Sequence, residues 1–255
     1  VDTYNVRRHG VPDAIKVFDE VLKPMGKRPK GIRIDSGDIA YLSKKARKML
    51  DEAGWPECQI SVSNSLDERL IQNLFLQGAQ IDMFGVGERM ITAKSEPVFG
   101  GVYKLTAVEN DKGEIIPKIK CSENVEKITI PHFKKVYRLY NRDNGKAIAD
   151  YMTVHDEVVD ENEPLMLFDP YATWKTKNVC NFEARELLVP VFLNGKKVYQ
   201  SPALKDIQAY CKQQVNTLWD EIKRFDNPQT YYVDLSQKLW DIKDRLLHEG
   251  GRLDR

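Results

Sequence analysis

At 255 residues the chain has the length of one large or two modest domains. Its 42% hydrophobic and 30% charged residues place it among soluble globular proteins rather than disordered or fibrous ones. A net charge of +1 supplies no basic field to recruit nucleic acid, and no apolar run approaches the roughly 20 residues that span a bilayer. The cysteines, Cys58, Cys121, Cys180 and Cys211, are widely scattered. Without a Cys-x-x-Cys spacing they read as reduced thiols of a cytoplasmic protein, not as a zinc or redox site.

In chain order, Val1-Asp2-Thr3-Tyr4 reads as the tail of a strand. A helical period follows through Ala14, Ile15, Val17, Phe18, Val21 and Leu22. Gly31 to Ile34 is a short apolar strand that runs into the polar turn Asp35-Ser36-Gly37-Asp38. Strand side chains alternate between faces, so Arg33 and Asp35 point to the same side. Side by side at a strand end, they suit the grip of an anionic, hydroxyl-rich substrate. Ile39, Leu42, Ala46, Met49 and Leu50 mark the next helix.

The arrangement recurs. Cys58 to Val62 ends in Ser63-Asn64-Ser65 before the helical pattern of Leu66, Leu70, Ile71, Leu74 and Phe75. Ile81 to Phe84 ends in Gly85-Val86-Gly87 before another helical stretch. Strands alternating with helices over short connections predict parallel pairing by right-handed crossovers. Polar residues then gather at the carboxyl ends of the strands, where such folds place ligands.

The pattern changes at Pro97. Val98 to Val108 and Lys118 to Lys120 are expected strands around the turn Asn110-Asp111-Lys112-Gly113. Lys134 to Tyr140 and Ala147 to Met152 flank Asn141-Arg142-Asp143-Asn144-Gly145 as a hairpin. Pro164 to Phe168 and Leu187 to Val191 are further expected strands, whereas 169–183 carry no readable period. From Pro202 a helical period runs to Ile222, and a second helix is expected over Leu235 to Leu247. Trp219 and Trp240, at helical spacing, are expected in the core. The expected division is therefore 1–96 as βα repeats carrying the site, 97–200 as a mostly β segment, and 201–255 as a helical region.

Asp2-Thr3-Tyr4, Gly31 to Asp38, Ser63-Asn64-Ser65-Leu66-Asp67-Glu68, Phe84-Gly85-Val86-Gly87 and Gly100 to Leu105 together resemble the nicotinate phosphoribosyltransferase family. Leu188 to Phe192, Gly195-Lys196, Leu218 to Glu221 and Val233 to Ser236 resemble its C-terminal region. The resemblance implies the second half of an irregular α/β barrel of the type II phosphoribosyltransferase kind, followed by a mainly antiparallel β segment and a helical C-terminal region. It also implies that the family's N-terminal domain, the first half of its barrel and its phosphorylated histidine lie upstream of Val1. None of His9, His132, His155 and His248 reads as catalytic.

The activity implied is transfer of a phosphoribosyl group to nicotinate, with ATP hydrolysis and magnesium. The implied partners are nicotinate, phosphoribosyl pyrophosphate, ATP, the N-terminal half of the same protein and a second copy in a homodimer. The other open reading is a non-catalytic phosphate- or nucleotide-binding subunit on the same partial barrel.

Within that frame Arg33 either pairs with the nicotinate carboxylate through its planar fork or forms an internal ion pair with Asp35. Asp35 is expected to hold ribose hydroxyls or stabilise a cationic sugar. Asp2 is expected to orient a histidine or hold a magnesium-bound pyrophosphate. Ser36 and Asp38 suit either the substrate or the start of a helix. Ser63, Asn64, Gly85 and Gly87 are expected phosphate contacts; a Ser65-x-x-Glu68 capping box is the alternative for Ser65, and a plain tight turn for the glycines. Much of the family carries a threonine or serine where this chain has Glu88, whose carboxylate must turn away or meet a cation. Lys104 reads equally as a phosphate ligand or a solvated strand lysine.

Overall fold

The alternation of buried and exposed positions in the strands decides what the sheet presents to solvent. In strand β1 (Gly31–Ile34), Ile32 and Ile34 are buried while Gly31 and Arg33 face outward. The structure is a computed structural model, and it describes residues 1–98 and 100–250, the side chain of Glu126 excepted. The chain divides into two units, Val1–Gly101 and a second beginning at Val102.

In the first unit, helix α1 (Val11–Val17) is flanked by π-helical turns at Val6–Gly10 and Phe18–Leu22. After β1 come α2 (Ile39–Glu52), β2 (Gln59–Val62), α3 (Glu68–Leu76), β3 (Met83–Phe84) and the one-turn α4 (Glu88–Ile91). The strands form an open parallel sheet in the order β1-β2-β3. Ile32, Ile34, Ile60 and Val62 meet Ala46 and Leu50 of α2, Leu66 and Leu74 in one apolar core. Each fully buried aliphatic side chain contributes about 1.5–3 kcal/mol. Position 31 needs glycine because a Cβ there would lie 2.7 Å from the Gln59 carbonyl oxygen on the neighbouring strand.

In the second unit, β4 (Ala107–Glu109) pairs with β5 (Ile115–Pro117) as a small hairpin. The main sheet is built on the antiparallel pair β6 (Lys134–Asn141) and β7 (Ala147–Val154). Its turn is held by the Asn141 side-chain oxygen, which accepts from the backbone N–H groups of Asp143 and Asn144. Then follow β8 (Leu165–Phe168), β9 (Thr176–Val179), β10 (Phe182–Glu186), β11 (Phe192–Leu193), β12 (Lys196–Lys197), α5 (Leu204–Thr217), β13 (Val233–Leu235) and α6 (Gln237–Gly250). The sheet order is β10-β6-β7-β13, with β13 parallel to β7. Tyr137, Leu139, Leu167, Val179 and Phe182 form one core, and Val154, Leu235 and Leu239 of α6 another.

Both units together make a mixed α/β protein, with small open sheets. Several sequence expectations are corrected. Val1–Tyr4 is not a strand, although the Val1 amine donates to the Arg33 carbonyl at 2.9 Å along the edge of β1. Of the strand expected over 98–108, which includes Phe99 outside the described residues, only Ala107–Glu109 forms, and its partner is Ile115–Pro117 rather than 118–120.

The Leu187 to Val191 strand is absent, since pairing with β6 falls on Phe182–Glu186 instead. Helix α5 ends at Thr217 and fully buries none of its residues. Trp219, beyond that helix, is 44% exposed rather than in the core, and its indole N–H donates to the Ala147 carbonyl at 3.0 Å. Trp240 does pack, edge-on to Phe168. Among the described residues no helix is long and apolar enough to cross a membrane.

Candidate active site

Because β1 buries its isoleucines, the intervening Arg33 is projected outward, and its side chain is 64% exposed. Asp35, two residues on, lies on the same side, and an Arg33 terminal nitrogen stands 3.0 Å from Asp35 Oδ1. Arg33 pairs with Ser61 across the sheet, so Ser63 at the end of β2 lies beside Asp35. Arg33 Nε donates to Ser63 Oγ at 2.8 Å, and the Ser63 hydroxyl donates in turn to Asp35 Oδ1. Asp2 joins from the other side: its Oδ2 accepts the Asp35 backbone N–H at 2.9 Å. The cluster sits at the carboxyl end of the parallel sheet, where open α/β sheets bind ligands.

Both carboxylates are held ionised. The Ser63 hydroxyl and then the Arg33 guanidinium lower the Asp35 pKa from its ordinary value. Partial burial works against the Asp2 carboxylate, yet the Asp35 N–H, its own N–H and the Ser36 hydroxyl hold its pKa below the usual range. As ionised groups they act only as acceptors, suited to sugar hydroxyls or to a cationic sugar carbon. The exposed Arg33–Asp35 pair is screened by solvent and contributes little to stability. A guanidinium has five N–H donors, and these contacts occupy only part of them.

The turn after β2 adds strain at the same end. Asn64 and Ser65 both have left-handed backbones, with φ of 92° and 49°. Such conformations cost on the order of 1–3 kcal/mol each outside glycine and gather at ligand clamps. Ser65 is therefore not the helix cap. Asp67 is, accepting the Leu70 N–H at 2.8 Å while its other oxygen pairs with Arg89.

The Ser65-x-x-Glu68 spacing predicts a capping box and gives no sign of the Asp67–Arg89 pair. The signal present was an aspartate directly before Glu68. Asp38 likewise caps α2, accepting the Tyr41 N–H at 2.9 Å.

The Gly85 N–H donates to the Val62 carbonyl at 2.7 Å, so it is not available to a phosphate. A Cβ at Gly85 would lie 3.4 Å from that of Ser63; one at Gly87 would meet nothing within 4 Å. Glu88 does meet a cation: its carboxylate lies 3.7 Å from Lys94 Nζ. The structure thus joins Asp2, Arg33, Asp35, Ser36 and Ser63, with Asn64 in the adjoining turn. Lys104 falls in the second unit, exposed and outside regular structure. Among the described residues no group of three or more His, Cys, Asp or Glu side chains is disposed to hold a metal ion.

A parallel βα unit whose strand ends gather an arginine, two ionised carboxylates and hydroxyls is an α/β protein with its polar groups collected at one sheet edge. Residues 133–243 match the family described as "Nicotinate phosphoribosyltransferase C-terminal domain". The chain is 47% identical over 251 residues to the Bacillus subtilis nicotinate phosphoribosyltransferase, covering 98% of itself and 50% of that protein. It is 32% identical to the Dictyostelium discoideum nicotinate phosphoribosyltransferase, covering 96% of itself and 43% of that protein.

Human nicotinic acid phosphoribosyltransferase superposes with a TM-score of 0.63 at 24% identity, over 87% of this chain and 41% of that one. A nicotinate-nucleotide pyrophosphorylase from Pyrococcus furiosus superposes at 0.53 and 21% identity, over 85% of this chain and 46% of that one. These two superpositions speak for the fold alone. By sequence the chain is related to the nicotinate phosphoribosyltransferases over nearly its whole length, and it spans about half the length of the curated relatives it matches.

Proposed function

We propose that this chain carries part of the active site of a nicotinate phosphoribosyltransferase, which makes nicotinate mononucleotide and pyrophosphate from nicotinate and phosphoribosyl pyrophosphate. The observation that carries the proposal is the cluster of Asp2, Arg33, Asp35 and Ser63 at the strand ends. In this reading β1 to β3 belong to the second half of an α/β barrel, residues 1–96 carry the site, and 97–200 and 201–255 form its β and helical continuations.

Phosphoribosyl transfer passes through a sugar cation, so the protein acts mainly by positioning and electrostatics. Arg33 exchanges its Asp35 partner for the nicotinate carboxylate and aims the ring nitrogen at the anomeric carbon. Asp35, released from the arginine, faces the positive charge that grows there as pyrophosphate leaves. Ser36, Ser63 and Asn64 supply donors to ribose and phosphate oxygens. With the Gly85 amide engaged, the Gly85–Gly87 turn contributes through the close approach that its glycines permit.

The contacts described engage Oδ1 of Asp35, so its other oxygen would be the one to support a magnesium ion held chiefly by the substrate phosphates. Such an ion neutralises leaving-group charge. ATP coupling through a phosphohistidine comes from the family resemblance, and no role in it is assigned to His9, His132, His155 or His248. A homodimer is the proposed assembly, and the cytoplasm the proposed compartment, where the unbridged thiols stay reduced.

The test is a competition assay on the intact protein together with Arg33→Lys. Lysine keeps the charge and loses the fork. KM for nicotinate should rise strongly while KM for phosphoribosyl pyrophosphate changes little. Equal losses for both substrates, or nicotinamide outcompeting nicotinate, would overturn the assignment.

A further inference from the structure

Asp234 of β13 is 4% exposed, yet one of its carboxylate oxygens is fully enclosed without a hydrogen-bond partner. Its neighbours on the strand explain the burial: Leu235 enters the core beneath α6, and alternation turns Asp234 to the opposite face. There it lines a cavity of about 230 Å³ with Asp169, and apolar walls are supplied by Ile148, Leu167 and Phe168. Among the described residues no ion pair reaches either carboxylate. Burial, and then the charge of Asp169, push the Asp234 pKa up to about 6.

Lys175 and Lys177 line the same cavity but are exposed, so their stems border it while their ammonium groups reach solvent. Ile148, Lys177 and Tyr232 are shared with a larger adjoining cleft of about 480 Å³, which gives access. An apolar pocket with a few convergent polar groups, one of them perturbed, has the make-up of a small-molecule site.

We propose that this cavity binds a small amphoteric molecule: a protonated amine at its depth against Asp234 and Asp169, a flat or aliphatic body between Ile148, Leu167 and Phe168, and a carboxylate at the mouth against Lys175 and Lys177. The order of charges, acidic within and basic at the rim, selects that arrangement over a simple cation or anion. The ammonium sets a counter-charge beside the buried Asp234 carboxylate, and burying that carboxylate without an ion pair is the state the pocket is relieved of. None of these residues takes part in the first-unit cluster, so the proposal stands or falls separately from the transferase reading.

The test uses the intact protein and calorimetric titration with 4-(aminomethyl)benzoate, set against benzylamine and benzoate as half-probes. The amphoteric probe should bind with one-to-one stoichiometry, benzylamine more weakly, and benzoate not measurably. Asp234→Asn should weaken the amphoteric probe roughly tenfold or more, since a charge-assisted hydrogen bond at a buried site is lost. Tryptophan fluorescence serves as the folding control. The exposed pair Lys175→Ala with Lys177→Ala offers a second variant without a buried change, and should bring amphoteric-probe affinity down to that of benzylamine.

Benzoate binding as tightly as the amphoteric probe, or unchanged affinity in both variants, would overturn the proposal. No saturable binding of any probe would assign the cavity to ordered solvent, which satisfies buried polar groups in many proteins.

Discussion

Replacing Asp234 by asparagine should make the protein more stable at neutral pH and abolish part of its pH dependence. The carboxyl of Asp234 titrates near 3.8 in an unfolded chain and at about 6 in the folded one. Between these values the native state holds a proton that the unfolded state has released, so stability falls as pH rises. The full benefit of the protonated acid is present below about pH 4 and is lost above about pH 6. Two pKa units and a fraction, at 1.36 kcal/mol each, give a penalty of about 3 kcal/mol at pH 8, roughly half of which has appeared by pH 5.

Asparagine keeps the shape and cannot ionise, so the gap between variant and wild type should open over that interval and be small at pH 4. The cross-strand neighbour Tyr151 is pushed up to about 12, well above that interval. The lowered pKa of Lys243 on α6 comes from its own burial.

Urea unfolding followed by tryptophan fluorescence from pH 4 to 8 is the assay, because Trp174, Trp219 and Trp240 lie in the second unit and only Trp55 in the first. Parallel curves for the two proteins would refute the reasoning, and so would a gap that opened only above pH 7.

Phe182→Ala removes a fully buried ring from the second-unit core and should cost about 3–5 kcal/mol, read as a lower urea midpoint with an unchanged slope. Gly87→Val places its side chain where nothing lies within 4 Å, so circular dichroism should be unchanged while calorimetry shows loss of phosphoribosyl pyrophosphate binding. Unchanged affinity would make Gly85–Gly87 an ordinary turn. Prepared as an isolated 255-residue protein, the chain should aggregate or show no transferase turnover, since its parallel sheet leaves strand edges open; measurable turnover would contradict this.

Whatever depended on a local period was readable in the sequence. Ile32 and Ile34 alternate with Arg33, and that alternation alone places the arginine beside Asp35. The helices over Ile39–Glu52 and Glu68–Leu76 announce themselves by apolar spacing. By contrast Thr176–Val179 and Phe182–Glu186 carry lysine, asparagine, arginine and glutamate on faces open to water, and they are strands because β8 and β6 pair with them. Their signal lies in the partner, not in their own residues. The same holds in the site. Ser63, at a strand end, was legible, but the choice of Asp67 over Ser65 as cap follows from the left-handed turn, a loop conformation without a period. The Asp234 cavity depends on four separate strands meeting and has no local mark at all.

The parallel pairing of β13 with β7 has a consequence for how the protein is made. Residues 155–232 lie between the two strands. The β6–β7 hairpin needs only a short closure and is complete early in synthesis, but the far edge of β7 must wait on the ribosome for most of the remaining unit. During that interval the nascent chain displays an unpaired row of backbone groups beside the half-built core around Val154, a natural point for chaperone engagement and for mispairing between neighbouring polysomal chains. Asp234 is enclosed only at the end, when Leu235 and Leu239 close over Val154, so the last event in building this unit is the burial of an acid.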